Sequence, residues 1–454
     1  MSAFEKALNY SKKNRIDECE IIFSDRKITT IRITDSNIAE LKQNFEKNYG
    51  IRIIKNKKII ATQTSDEREL EKVIDESLEF TDNIKPINFW QNLPYNIKKL
   101  PTIEKTFDSK LDEISGSTAT DIAEEMINST VDKKICSISG SLNIVSEAFE
   151  IANSHGLQLE NNATYISGII NADSEYGETQ VSGLGHDSCR TLEKFSPKQI
   201  GNDAKKMCLE SINPKKCNDE EYSIIFEPYS VGELLAFVIS SNFNLKTVYE
   251  KKSCFSNKYK EKIAAENLSI IDNPHLPEGI GSKPFDDEGV ATSQNILVEK
   301  GEFCGMFSNI FDAAKNKKNT TGNGSRPGSP MGRSSIPIPV SSPHNITIKN
   351  GDSNQEDMIK DTKHGILVGR LWYTYAVNPI KGDFSCTARS GIRIIENGEI
   401  KHAGKPVRII HNLPILFQNI SAIGKNSKNV LQWASTPSHT PSLKIDGVKV
   451  NAID

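Results

Sequence analysis

Zinc hydrolysis run from a single helix needs two imidazoles one turn apart on one face. The eight histidines here, His155, His186, His275, His344, His364, His402, His411 and His439, are never closer than nine positions, so no helix can supply that pair. Each reads as a surface residue or a satisfied core residue. The eight cysteines (Cys19, Cys136, Cys189, Cys208, Cys217, Cys254, Cys304, Cys386) are equally dispersed, which gives neither a disulfide framework nor a Cys-x-x-Cys clip. Most are expected to be reduced and buried as small apolar residues. Distant cysteines can still meet in space, so the spacing disfavours a metal site without excluding one. Phosphate-cradling glycine motifs are missing, since Gly322-Asn-Gly324-Ser-Arg-Pro-Gly328 has the wrong spacing, and there is no Gly-x-Ser-x-Gly nucleophile elbow. The acidic triplet Asp286-Asp287-Glu288 stands out. Three adjacent carboxylates repel unless solvated, paired with Arg or Lys, or hydrogen-bonded to loop N–H groups, and composition alone reads them as a solvated turn. Trp372-Tyr-Thr-Tyr375 reads first as a buried strand and second as an aromatic binding surface.

The elements that must position these residues follow from periodicity. Residues 3–14 form a short amphipathic helix. Cys19 to Phe23, Ile28 to Thr34, Ile38 to Leu41, Gly50 to Ile54 and Lys58 to Thr62 read as an antiparallel meander with a hairpin reversal at Asn56-Lys57. Behind Ser65 as N-cap, Leu70, Val73, Ile74 and Leu78 share one helical stripe. A polar, proline-containing connector spans 84–108, then a helix near Ala119 to Ser129, then strand-like runs Lys134 to Ala152 and Leu157 to Asn171 around the turn Asn153-Ser-His-Gly156. Pro197 to Ile212 is helical, and the polar cluster from Asn213 to Glu220 stops it before a strand at Tyr222 to Phe226. An apolar helix follows over Pro228 to Ser241, and Thr320 to Ser342, dense in Gly, Pro and Ser, is an extended or mobile loop.

These readings give an α+β chain: an N-terminal α+β unit with an antiparallel sheet (1–100), a central unit (101–219) and a strand-rich C-terminal unit (220–454). Composition bounds the function. With 56 Lys+Arg against 59 Asp+Glu the net charge is −3, so no nucleic-acid footprint or acidic membrane surface is implied. The longest apolar run, Leu234 to Ile239, is far below the roughly 18 residues of a membrane-spanning helix, and Met1 to Lys6 has no signal core. The expectation is a cytoplasmic protein.

Six segments in order carry a family resemblance: Asp272-Asn-Pro-His-Leu276, Ser282-Lys-Pro-Phe-Asp-Asp-Glu-Gly-Val-Ala-Thr292, Asn295-Ile-Leu-Val-Glu-Lys-Gly-Glu302, Thr321-Gly-Asn-Gly324, Gly382-Asp-Phe-Ser385 and Gly391-Ile-Arg-Ile-Ile-Glu-Asn-Gly-Glu399. With them the chain resembles the TldD/PmbA family of peptidase-related proteins, first described as modulators of DNA gyrase, over nearly its whole length. The resemblance implies zinc metallopeptidases with a His-Glu-x-x-x-His helix and a late Cys ligand, and sister proteins lacking that motif. In this sequence the helix Ser230-Val-Gly-Glu-Leu-Leu-Ala-Phe-Val-Ile-Ser-Ser241 has no His or Cys, and Gln432-Trp-Ala-Ser-Thr-Pro-Ser-His439 has no Cys. Glu233, the only acid of the helix, reads as an ordinary solvent-facing residue. The resemblance therefore points to the PmbA/TldE-like branch: no catalytic or metal residue in this chain, zinc in a TldD-like partner subunit, a heterodimer or homodimer, and a peptide or unfolded segment as substrate. It makes Asp286, Asp287, Glu288, Asn323, Arg326, Asp383 and Arg389 candidates for lining a peptide cavity or dimer seam. Two other readings stand beside it: a metallopeptidase in its own right with ligands distant in sequence, and a protein-binding modulator of gyrase without direct DNA contact.

Overall fold

The computed structural model describes residues 3–97, 99–432 and 436–453. It begins with helix α1 (Ala3–Lys13) and three strands, β1 (Glu18–Thr34), β2 (Asn37–Lys55) and β3 (Lys58–Thr64). The five short strands expected here are three long ones. The polar run Ser24-Asp25-Arg26-Lys27 looks like a break, yet β1 runs through it because β2 neutralises it. Arg26 pairs with Glu46 at 3.1 Å and Asp25 with Lys47 at 2.9 Å. The β2–β3 reversal is as expected, with Asn56 and Lys57 at φ 51° and 59°, the left-handed conformations that a tight two-residue hairpin requires. Helix α2 (Leu70–Glu79) buries Leu70, Val73 and Ile74, and the turn ahead of it is capped by Asp66 rather than Ser65.

After the short α3 (Ser109–Asp112) and α4 (Gly116–Thr130) come β4 (Ser137–Asn153), β5 (Gln158–Ser174), β6 (Val181–Cys189) and α5 (Pro197–Glu210). All six strands form one antiparallel sheet in the order β3-β2-β1-β4-β5-β6, so strands before and after residue 100 share a sheet. Its two faces have different tasks. Side chains alternate along a strand, and the β1 residues Cys19, Ile21, Ile31 and Ile33 pack under α1, α2, α4 and α5. Their neighbours Glu20, Ile22, Arg26 and Ile28 point the other way, where Ile22 and Ile28 meet Phe285, Ile280 and Met331 of the C-terminal half.

The α5–β6 contact depends on glycine. A Cβ at Gly185 would stand 1.8 Å from the Ile200 carbonyl oxygen, and one at Gly183 would stand 2.2 Å from that of Ala204. Gly185→Ala is therefore expected to push α5 off the sheet and cost about 1–3 kcal/mol, read as a lower urea midpoint. An unchanged midpoint would contradict this packing.

Beyond β7 (Glu221–Phe226) and α6 (Pro228–Leu234) the chain is mostly strand and loop. The strands are β8 (Ile270–Asp272), β9 (Asn295–Glu299), β10 (Glu302–Phe303), β11 (Gly324–Ser325), β12 (Val340–Ser341), β13 (Ile346–Ile348), β14 (His364–Val368), β15 (Arg370–Asn378) and β16 (Asp383–Ser390). They continue as β17 (Arg393–Glu396), β18 (Glu399–Ala403), β19 (Val407–Asn412), β20 (Ile420–Ile423), β21 (Lys428–Val430), β22 (Ser438–Thr440) and β23 (Leu443–Ala452). A nine-stranded sheet runs β15-β16-β19-β23-β7-β14-β17-β18 with β20 beside β23. A six-stranded sheet runs β10-β9-β8-β13-β22-β21, and β11 pairs β12. The largest apolar cluster of the chain fills this half, around Phe226, Phe243, Phe255, Phe303 and Phe417.

Two expectations change here. The helix foreseen to Ser241 is regular only through Leu234. It continues as one wide turn (Leu235–Ile239) and one tight turn (Ser240–Phe243), an irregularity that apolar periodicity does not register. Trp372 to Tyr375 is a strand but not a buried one, because β15 is a sheet edge and Tyr373 and Tyr375 are 70% and 46% exposed. All eight cysteines are free, and Cys19, Cys189, Cys208, Cys217 and Cys386 are buried.

Candidate functional site

The charged residues on the inner face of the first sheet define the site. Glu20 of β1 and Arg52 of β2 are directly opposite across the ladder, and their side chains meet at 2.8 Å. Two elements of the C-terminal half complete the cluster. Arg52 also binds Glu288 at 2.9 Å, and Glu20 also binds Arg326 at 2.6 Å. Glu20, Arg52, Glu288 and Arg326 are all at most 2% exposed. A buried charge is tolerable only when paired and hydrogen-bonded, and these bonds join the two halves of the chain.

The acidic triplet is not the solvated turn that composition suggests. Asp286, Asp287 and Glu288 are buried, and each has a separate set of partners. Asp287 takes the Lys283 ammonium at 2.8 Å and the Arg326 N–H at 2.7 Å. Glu288 takes Arg52 and the Ile310 N–H, the latter at 2.8 Å. Among the described residues Asp286 has only backbone donors, the N–H groups of Glu288, Val290 and Gly324 at 2.8–2.9 Å. Burial, with Glu288 beside it, pushes Asp286 up to about 7 against the N–H groups of Val290 and Gly324. Burial acts on Asp287 in the same sense, but Lys283 and Arg333 outweigh it and hold that carboxyl below its ordinary value. The cluster thus contains Lys283, Arg52 and Arg326 against Glu20, Asp286, Asp287 and Glu288. Asp286, with no cation partner among the described residues, is raised, and Asp287, with Lys283 beside it, is lowered.

The same bonds fix the Gly/Pro/Ser-rich segment, which is extended but held rather than loose. Arg326 donates to the carbonyls of Asp287 (2.7 Å) and Ile336. Arg26 donates to those of Ser329 (3.0 Å) and Met331 (2.6 Å). Arg333 pairs with Glu147 of β4 at 2.9 Å and lies over the Phe149 ring at 4.4 Å. Asn323 donates to Asp272 at 2.6 Å, whose other oxygen accepts the His344 and Asn345 N–H groups at 2.8 and 3.0 Å. Beside this segment a cavity of about 190 Å³ is lined in part by Lys283, Arg333 and His344.

Of the seven residues singled out from the sequence, the structure brings Asp286, Asp287, Glu288, Asn323 and Arg326 together. Asp383 and Arg389 lie apart on β16. Asp383 accepts from Asn412 at 2.9 Å, and Arg389 stacks on Trp372 at 4.3 Å. Sequence reasoning missed Glu20, Arg52, Glu147 and Arg333. The available signal was a charge inside an otherwise apolar strand, as in Cys19-Glu-Ile-Ile22 and Ile51-Arg-Ile-Ile54.

Comparison with known proteins places this architecture. Residues 219–452 match the PmbA/TldA metallopeptidase C-terminal domain, 19–79 match domain 1 and 109–211 match the central domain of the same family. The chain belongs to the PmbA/TldD family. A metalloprotease of Methanocaldococcus jannaschii is 23% identical over 425 residues, covering 90% of each chain. The metalloprotease PmbA of Escherichia coli O157:H7 is 25% identical over 346 residues, 74% of this chain and 71% of that one. The crystal structure of TldE from Thermococcus kodakarensis superposes with a TM-score of 0.90 at 23% identity, covering 99% of this chain and 100% of that one. That of a putative modulator of DNA gyrase from Thermotoga maritima gives 0.88 at 22%, covering 99% of each. At such identities the structural likeness establishes the fold.

Membership of a PmbA/TldD metallopeptidase family raises the question of zinc, and the donor set answers it poorly. Zinc takes several deprotonated nitrogen, sulfur or carboxylate donors. Helix α6 offers one carboxyl, Glu233, and it is not solvent-facing as its position in the sequence suggested: it is 4% exposed and accepts the Leu371 N–H at 2.6 Å. Burial pushes it up to about 8, against the Leu371 bond and Arg370, so at neutral pH it is mostly protonated. His186 stands beside Tyr229 of α6, ring centroids 5.1 Å apart, and burial lowers it to about 4. Among the described residues no three His, Cys, Asp or Glu side chains gather as a metal would require. Of the late-ligand stretch, Trp433 to Ser435 lie outside the described residues. The described residues do not fit zinc.

Proposed function

We propose that this chain is a non-catalytic, PmbA/TldE-like subunit of a cytoplasmic TldD/PmbA-type metallopeptidase complex that acts on peptides or unfolded segments, with zinc supplied by a TldD-like partner. The observation that carries this reading is Glu233. A catalytic helix needs an ionised carboxylate beside a metal-bound water. Here the single carboxyl of α6 is shut away from water, engaged by the Leu371 N–H and kept protonated. The strand-rich half is suited to peptide capture, since exposed sheet edges bind extended segments through main-chain pairing without a side-chain catalyst. No helix among the described residues is long and apolar enough to cross a membrane.

The chain purified alone should carry substoichiometric zinc and leave an unfolded peptide intact. Mixing it with a zinc subunit bearing the His-Glu-x-x-x-His helix should raise cleavage at least tenfold over that subunit alone. Stoichiometric zinc and peptide hydrolysis by the isolated chain would overturn the assignment in favour of a peptidase whose ligands are distant in sequence.

A further inference from the structure

Asp383 and Arg389, left outside the buried cluster, belong to a surface of their own. Alternate residues of β16 share a face, so Asp383, Ser385, Thr387 and Arg389 point one way while Phe384, Cys386 and Ala388 enter the core. On the outward side β15 contributes Trp372 opposite Thr387 and Tyr375 opposite Ser385. Three residues of β15 thus span two of β16. The extra residue is Tyr373, at φ 48°, and this bulge is what turns both Trp372 and Tyr375 to the same face. From β19, Arg408 lies opposite Thr387 and Ile410 opposite Ser385. The outward face therefore joins Trp, Tyr, Ile and Arg, types enriched or common at the centre of binding surfaces.

Three further observations narrow what binds there. First, β15 is the terminal strand of its sheet, pairing with β16 alone among the described residues, so its other edge has no strand partner; the Leu371 N–H, at its start, is taken by Glu233, which leaves the stretch beyond Leu371 for pairing. Second, Arg370 and Arg389 both lie over the Trp372 ring, at 4.7 and 4.3 Å, and Arg408 donates to the Tyr375 hydroxyl at 3.1 Å. None of the three arginines has a carboxylate ion pair among the described residues. A stacked guanidinium uses its flat face and leaves its in-plane N–H donors for an acceptor. The Arg389 side chain has no hydrogen-bond partner among the described residues, whereas Arg370 spends one donor on Asn171 at 3.2 Å and Arg408 a second on Ser385 at 3.1 Å. Third, a cleft of about 670 Å³ opens beside this face, between β15–β16 and the ends of β5 and β6, with Arg370, Trp372 and Arg389 in its wall. That volume lies in the range of ligand sites. Among the described residues the cleft wall holds one acid, Asp173, which burial raises above its ordinary value while the Asn171 hydrogen bond, Arg389 and Arg370 act in the opposite sense.

We infer that the β15–β16–β19 face and its adjoining cleft bind an extended segment of the peptide substrate that carries carboxylate side chains, pairing main chain to the β15 edge and carboxylates to Arg389 and Arg370. The inference rests on reading the chain as a peptide-binding subunit and names the class of peptide it prefers. Alternation along an extended segment sends every second side chain to one side, so acids at alternate positions would meet the arginine side together.

The test uses the full chain and three fluorescein-labelled decapeptides that alternate Thr with Glu, Gln or Lys, read by fluorescence anisotropy. The Glu peptide should bind at least tenfold more tightly than the Gln peptide, and high salt should erase the difference. Arg389→Ala, an exposed substitution, should lower affinity for the Glu peptide at least tenfold and leave the Gln peptide unchanged. Trp372→Leu should weaken both, and an unchanged thermal melt will show that each variant is folded. Equal binding of all three peptides, or indifference to Arg389→Ala, would overturn this inference while leaving the peptide-binding reading intact. Binding of none would overturn both. A dimer in sedimentation that Trp372→Leu dissolves would assign the face to a second copy and overturn it as well.

Discussion

Arg326→Ala is expected to cost about 3–5 kcal/mol of unfolding free energy, the usual penalty for removing one partner of a buried ion pair. The guanidinium is fully buried and binds Glu20, the Asp287 carbonyl and the Ile336 carbonyl. Its removal leaves one oxygen of Glu20 without a donor in the interior and frees two carbonyls. Single domains are stable by only about 5–15 kcal/mol, so the loss is a large share of the total. The penalty belongs to the orphaned partner more than to the bond itself, and that distinction is measurable. With Arg326→Met and Glu20→Gln combined, one charge of each sign is removed while Arg52 keeps Glu288 and Lys283 keeps Asp287, so no cation or anion of the original pair is left orphaned, and about half of the loss or more should be recovered. A double-mutant cycle in urea gives the coupling directly. Because Arg326 ties 320–342 to the first sheet, limited proteolysis should cut the single variant in that segment first. A single-variant loss below about 1 kcal/mol would refute the account of the cluster as the joint between the two halves.

The same cluster shows how far the sequence could be read. The α+β class, the hairpin at Asn56-Lys57, the helix α5 and the strand-rich C-terminal half are local patterns: periodicity, turn residues and proline placement. The long strands were not legible as such, since β1 crosses Ser24 to Lys27 only because Glu46 and Lys47 answer those charges from β2. For the triplet at 286–288, repulsion among neighbours was evident, but the remedy was not. Arg52 lies 236 positions from Glu288 and Glu20 lies 306 from Arg326. No local spacing encodes such pairs. Glu233 failed for a related reason: helical position says which face a residue takes, while the Leu371 N–H that accommodates it arrives from β15, far along the chain.

Glu233→Gln should remove most of a pH dependence that the native chain carries. The Glu233 carboxyl titrates near 8 in the fold and near its ordinary 4.5 when unfolded, so between those values the folded state holds the proton that the unfolded state has released. Stability is then fully present below about pH 4.5 and falls as pH rises toward 8, since the slope follows the protons bound by the unfolded minus the folded state. Each pH unit in that window is worth about 1.4 kcal/mol, so Glu233 withdraws roughly 3–5 kcal/mol by pH 8. Asp286, raised to about 7, acts with the same sign. Glutamine keeps an oxygen for the Leu371 N–H and has no proton to lose. Wild type and variant should therefore unfold at similar urea concentrations near pH 5 and diverge steadily above it, the variant becoming the more stable by a few kcal/mol at pH 8. The residual slope in the variant is the part that Asp286 supplies, and Asp286→Asn in the same background should flatten it further. An infrared difference spectrum at pH 7 should show the carbonyl stretch of a protonated carboxyl that Glu233→Gln abolishes. Parallel stability curves for the two proteins would show that Glu233 ionises normally, and the argument against a catalytic role for α6 would lose its main support.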